Sequence, residues 1–128
     1  MPSHTNTLVW LDIPVIDLAR AINFYQSVLA CSLQDHRLNA PTATLMLNGT
    51  SNGLTLFKAK QERPVSSGSV PYLNCDARLE QALSQVRLLG GKVLQDIQAI
   101  EPFGYRAVIL DSEGNRLALH SSSCSTTT

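Results

Sequence analysis

Apolar residues recur at helical spacing in two places along the chain. The first stripe is Leu18, Ala21, Ile22, Tyr25, Val28 and Leu29, and the second is Leu79, Ala82, Leu83, Val86 and Leu89. Steps of three and four put each set on one side of a helix. Asp17 stands where the first helix needs an N-cap and Asp76 precedes the second, which Gly90-Gly91 stops as a left-handed C-cap. The flanking segments are short and apolar or alternating, and so predict strands. Around the first helix they cover residues 9–13, 32–35, 43–47 and 54–59; around the second, 70–74, 92–95, 105–110 and 116–121. Asn48-Gly49-Thr50-Ser51-Asn52-Gly53 and Asp111-Ser112-Glu113-Gly114-Asn115 read as the hairpin loops. The predicted order is strand, helix, three strands, stated twice.

The chain also repeats in detail. Shifted by 61 residues, Leu18, Ala21, Ile22 and Tyr25 fall on Leu79, Ala82, Leu83 and Val86. Shifted by 63, the segment 47–57 falls on 110–120. A fixed offset means one supersecondary unit used more than once, and two copies predict a paired, pseudo-twofold domain. The expected class is α+β: two βαβββ units forming an open, cup-like mixed sheet with the helices outside. Unit one covers about 8–60, a connector 61–68, unit two about 69–122 and a tail 123–128, all within a single domain of residues 1–128.

Alternation separates two faces. Leu11, Ile13, Leu54, Leu56, Leu73, Cys75, Leu117 and Leu119 form the set expected beneath the helices. The opposite set holds Trp10, Asp12, Thr55, Phe57, Val70, Tyr72, Asn74, Ala118 and His120. Its mixture of aromatic, polar and small residues suits a pocket lining better than a solvated face or a second core.

Composition removes several function classes. Ten Lys and Arg balance ten Asp and Glu, with no basic cluster, which argues against nucleic acid and anionic membranes. No apolar run is long enough to span a bilayer, and the first residues do not read as a signal peptide. Three cysteines without metal-type spacing suggest a reducing, cytoplasmic setting rather than a disulfide framework.

Three segments carry a family resemblance. Val15-Ile16-Asp17-Leu18-Ala19-Arg20-Ala21-Ile22-Asn23-Phe24-Tyr25 follows the pattern V-x-D-L-x-R-A-x-x-F-Y. Leu88-Leu89-Gly90-Gly91-Lys92-Val93 is the second mark, and Asp111-Ser112-Glu113-Gly114-Asn115-Arg116-Leu117-Ala118-Leu119-His120 resembles a closing D-x-x-G-N-x-x-x-L. In order, on a doubled βαβββ unit, they resemble the vicinal oxygen chelate superfamily of glyoxalase I, bleomycin-resistance proteins and extradiol dioxygenases. The resemblance implies an eight-stranded cup and, in catalytic members, one divalent metal held from the first and last strand of each unit. Here those positions are Trp10, Thr55, Val70 and Ala118. Trp, Val and Ala are not metal ligands, so no metal and no other cofactor is expected.

Asp12 and His120 are then expected to be the ionisable groups inside the cup, either as polar groups orienting a ligand or as an acid/base pair. Trp10, Phe57 and Tyr72 would form an aromatic wall beside Thr55. Glu101 and Tyr105 would lie at the rim. The leading expectation is a small-molecule binding protein of this superfamily lacking the usual metal ligands, with a homodimer implied by the resemblance. The alternative is a glyoxalase-like lyase or isomerase, or a dioxygenase-related enzyme, using Asp12 and His120, with or without a non-standard metal site. An interaction module with a filled cup is a third reading.

Overall fold

The protein is described from a computed structural model, over residues 8–46 and 53–123. Two units of identical topology follow one another. The first comprises β1 (Trp10–Val15), α1 (Leu18–Leu29), β2 (Gln34–Asp35), β3 (Thr42–Met46) and β4 (Gly53–Lys58). The second comprises β5 (Tyr72–Asn74), α2 (Leu79–Leu88), β6 (Lys92–Ala99), β7 (Tyr105–Leu110) and β8 (Arg116–Ser121). Each forms its own four-stranded mixed sheet, in the order β1-β4-β3-β2 and β5-β8-β7-β6. In each, the first strand runs parallel to the last and the other pairs are antiparallel. The cup is therefore two hydrogen-bonded sheets, with β1 and β5 as edges, rather than one continuous sheet. The expected hairpin loop at 48–53 lies outside the described residues except for Gly53.

α1 begins as its sequence demands. Asp17 is extended, and its carboxylate accepts the Arg20 amide at 3.0 Å. Its buried side is wider than the expected stripe, because Phe24 is fully buried beside Leu18, Ala21, Ile22, Tyr25 and Val28. α1 packs against its own sheet and against α2, so it needs two contiguous apolar surfaces. Leu79, Ala82, Leu83 and Val86 anchor α2 in the same core. The two glycines after α2 serve different needs. Gly90 has φ +94°, which a side chain resists, whereas a Cβ on Gly91 would meet the Leu110 carbonyl at 2.6 Å and the Phe24 ring at 2.8 Å.

Asp76 does not cap α2. The N-cap is Arg78, without a side-chain bond, and the Asp76 carboxylate instead accepts the amide and hydroxyl of Ser122, at 2.6 and 2.7 Å. Strand β1 runs through Pro14 instead of stopping before it. It lies at a sheet edge, where a residue without an N–H costs no ladder bond.

The apolar alternating set lies where expected. Ile13, Leu54, Leu56, Cys75, Leu117 and Leu119 are buried, with Leu11 and Leu73 packed against them. No helix is long and apolar enough to cross a membrane among the described residues.

Candidate functional site

The faces turned away from the helices carry the candidate chemistry. On the first sheet β1 and β4 are in register, with Trp10 opposite Gly53 and Asp12 opposite Thr55. Trp10 reaches diagonally across this pair: its indole Nε1 donates to Thr55 Oγ1 at 2.8 Å. The small residue at Gly53 makes room for it, since a Cβ there would come 3.1 Å from the Trp10 ring. Further along, a ring nitrogen of His36 lies 2.9 Å from Thr44 Oγ1. Thr44 on β3 is opposite Thr55 on β4, so this bond extends the polar row past β3 to His36, just after β2. Phe57 is half-buried on the same face, opposite Thr42 and Pro14.

On the second sheet, Tyr72 is opposite Ala118, and His120 is opposite both Asn74 and Arg106. The Tyr72 and His120 rings lie 6.3 Å apart with a 54° tilt. His120 Nε2 is 2.5 Å from the Phe103 carbonyl. A carbonyl can only accept, so Nε2 carries the proton and Nδ1 is the ring nitrogen left for other partners. Gly104, at φ +92°, brings this loop close: a Cβ there would lie 3.4 Å from His120 Nε2 and 2.5 Å from the Ser121 carbonyl. Arg106 donates from Nη1 to the Tyr72 hydroxyl, and its guanidinium carbon stands 5.9 Å from the centre of that ring.

Trp10 and Thr55 are thus brought together, as are Tyr72 and His120. Asp12 and His120 are not: they sit on different sheets, with no hydrogen bond or ion pair between them. Glu101 is exposed in the turn before β7. Tyr105 lies on the helix side of the sheet, packed against the core rather than at the rim, because β7 begins at this residue and its odd-numbered positions are the inward ones. Arg106 and Arg116 share this face, turned away from the helices, so Asp12 and His120 are not its only ionisable groups. The signal for them was present: the alternation through Ala118 and His120 reaches Arg116, and the pairing of β7 with β8 puts Arg106 opposite His120.

Between the sheet edges lies an apolar groove of about 380 Å³. Trp10, Leu11, Leu45 and Leu54 of the first unit and Pro71, Tyr72 and Leu73 of the second line it, together with Leu29 and Cys31. Burial raises the Cys31 thiol pKa, and raises Cys75 further, to about 11, so neither is poised as a thiolate.

The ring of positions implied for a metal does not fit one. Ala118 is fully buried and offers no donor, Val70 offers none, and Trp10 presents an N–H. Thr55 Oγ1 already accepts that N–H. Among the described residues no three His, Cys, Asp or Glu cluster in a metal-holding arrangement.

The most recognisable sequence motifs perform a different task. They hold the units together. Buried Asp111 accepts the hydroxyl of buried Tyr25, the amides of Glu113 and Asn115 at 2.8 and 2.9 Å, and Asn115 Nδ2 at 3.1 Å. Asn115 Nδ2 also reaches the Pro14 carbonyl at 2.8 Å. The Glu113 carboxylate accepts the Ile16 and Asp17 amides, each at 2.8 Å, and Arg20 in bidentate fashion at 2.7 and 2.9 Å. Desolvation would raise the Glu113 pKa, but Arg20, the two amides and the Ser112 hydroxyl together outweigh it and hold the group at about 2. Burial, then the charge and hydrogen bond of Asp111, push the Tyr25 pKa well up.

No family model matches the sequence, and no curated protein matches it. Solved structures do match the fold. A glyoxalase/bleomycin resistance protein from Albidiferax ferrireducens aligns over 91% of this chain and 98% of its own, with 14% identity and a TM-score of 0.77. A glyoxalase-related enzyme from Fulvimarina pelagi aligns over 91% and 88%, with 16% identity and a TM-score of 0.69. The fosfomycin resistance protein FosX from Listeria monocytogenes aligns over 94% and 91%, with 11% identity and a TM-score of 0.68. At these identities the likeness establishes a fold, that of the vicinal oxygen chelate superfamily.

Proposed function

We propose that this protein uses a glyoxalase/bleomycin-resistance fold to bind a small molecule on its concave face, without the metal centre that the fold hosts elsewhere. The observation that carries this reading is the composition of that face. Trp10 is fixed by Thr55, and Tyr72 is fixed between His120 and Arg106, giving two rigid aromatic surfaces with polar groups beside them. A few oriented polar groups among aromatic and apolar walls are what a ligand pocket needs. The four ring positions supply no ligand set, which supports binding without a metal. The similar structures bear the names of drug-resistance proteins and a glyoxalase-related enzyme, and the proposal stops at the class they share, small-molecule recognition.

The protein works as a homodimer in the cytoplasm on this reading. β1 and β5 are edge strands in the single chain, and a second copy would cover such edges. Size-exclusion chromatography with light scattering, giving twice the chain mass, checks this.

A screen of small molecules against wild type, Trp10→Ala and His120→Ala tests the site. The expected outcome is a ligand whose affinity falls at least about tenfold in one or both variants. A ligand that binds all three equally lies elsewhere, and the site assignment fails. The catalytic alternative draws on one observation: with Nε2–H held by Phe103, His120 keeps a single ring nitrogen free to take a proton. It predicts turnover of a ligand with a pH dependence that His120→Ala abolishes.

A further inference from the structure

The concave face of the second sheet contains two arginines that its protein partners do not fully satisfy. By the register of β7 and β8, Arg106 is opposite His120, Val108 opposite Ala118, and Leu110 opposite Arg116. The arginines therefore stand at diagonal corners around the Val108–Ala118 pair, with Cα atoms ~14 Å apart by standard strand geometry. Each has a buried Nε–H with no hydrogen-bond partner. Arg106 uses only Nη1, on the Tyr72 hydroxyl, and Arg116 only Nη2, on the Gly68 carbonyl at 3.2 Å. Buried donors are nearly always paired, and a charged one left unpaired is costly.

Among the other described arginines, two pair with a carboxylate and Arg78 donates to the Val28 carbonyl. Arg20 is matched by Glu113 and Arg37 by Asp35. Arg106 and Arg116 share one pocket of about 480 Å³, completed by Val70, Leu94, Gln95 and Val108, and no carboxylate lines it. Two positive charges and three aliphatic side chains line the same space. A guanidinium fork matches the paired oxygens of a carboxylate or phosphoryl group, and the aliphatic residues suit a short carbon body.

We infer that Arg106 and Arg116 form the anion-binding subsite of the cup, and that the ligand is a small organic anion carrying a carboxylate or phosphoryl group. This rests on the reading of the concave face as a ligand site and deepens it: Tyr72, held by Arg106, joins the aromatic wall to the charged floor.

Inorganic phosphate and succinate, titrated by calorimetry at ionic strength matched with sodium chloride, provide the test. Wild type should bind at least one of them, with affinity that falls as salt is added. The one bound more tightly assigns the phosphoryl or the carboxylate group. Arg116→Gln should weaken binding at least about tenfold, and Arg116→Lys less than that, because it keeps the charge but not the fork. Arg87→Gln, an exposed arginine on α2, should leave it unchanged. Arg116→Gln is the decisive variant because Arg116 holds only the Gly68 carbonyl, whereas Arg106 also positions Tyr72. The inference is overturned if neither anion binds better than chloride, or if Arg116→Gln binds like wild type. Either result would mean that the arginine stems merely cover Val108 and Ala118. The broader reading fails separately: it would survive the loss of anion binding if a neutral ligand still depended on Trp10.

Discussion

Single residues in this protein divide between those that hold the fold and those that line the proposed ligand face. Tyr25, Asp111, Asn115 and Glu113 belong to the first group. Removing the Tyr25 hydroxyl leaves buried Asp111 short of one donor, so Tyr25→Phe should cost about 1–3 kcal/mol in urea unfolding, although the ring still fits. Glu113 sets a pH dependence. Its folded pKa of about 2 lies below the ordinary 4.5, so its contribution is complete above the unfolded value and is lost as pH falls toward 2. The full effect is at most ~3 kcal/mol and is reduced by the solvent around half-exposed Arg20. Unfolding free energy should therefore decline between about pH 5 and pH 2, and Glu113→Gln should flatten that decline while lowering stability at neutral pH. An unchanged acid limb in the variant would show that the carboxylate is not the group responsible.

Elements were far more legible than site geometry, because periodicity reports which way a side chain points but not what it meets. The stripes at Leu18 to Leu29 and Leu79 to Val86 located both helices, and alternation correctly sorted Ile13, Leu56, Cys75 and Leu119 inward. Alternation also put Asp12 and His120 on the concave face, away from the helices. It carried no information on their separation, and they belong to different sheets. Phe24 was missed because its burial depends on α2, a partner distant in sequence, and Arg106 because its face follows from the β7–β8 register. At this scale Leu18→Ala and Leu79→Ala should each cost ~2–5 kcal/mol, since both side chains are almost fully enclosed. Gly91→Ala should cost roughly 1–3 kcal/mol through overpacking against Leu110 and Phe24. Gly90→Ala should cost about 1 kcal/mol or more through backbone strain alone, as its surroundings are open. Chemical denaturation of these four variants separates the packing losses from the strain.

The whole molecule is two copies of one topology. The positions that could have ringed a metal hold Trp10, Thr55, Val70 and Ala118, and the second sheet carries two arginines beside them. Cationic side chains close to a site disfavour a divalent cation as strongly as they favour an anion. Purified protein, dialysed and analysed for elements, should contain far less than one zinc, nickel, iron or manganese per chain. About one tightly held metal per chain would show that ligands are drawn from positions other than those four.

The contact between the closing hairpin and the start of α1 also orders events during synthesis. Glu113 receives the amides of Ile16 and Asp17, and Asp111 receives Tyr25, across 97, 96 and 86 positions of chain. A ribosome adding ~5–20 residues per second needs roughly 5–20 s to travel that far. Until then the first unit has its helix but not the acids that seal its pole, and the Tyr25 hydroxyl has no Asp111 to meet. The nascent chain must wait for nearly its last strand before its first helix is finished.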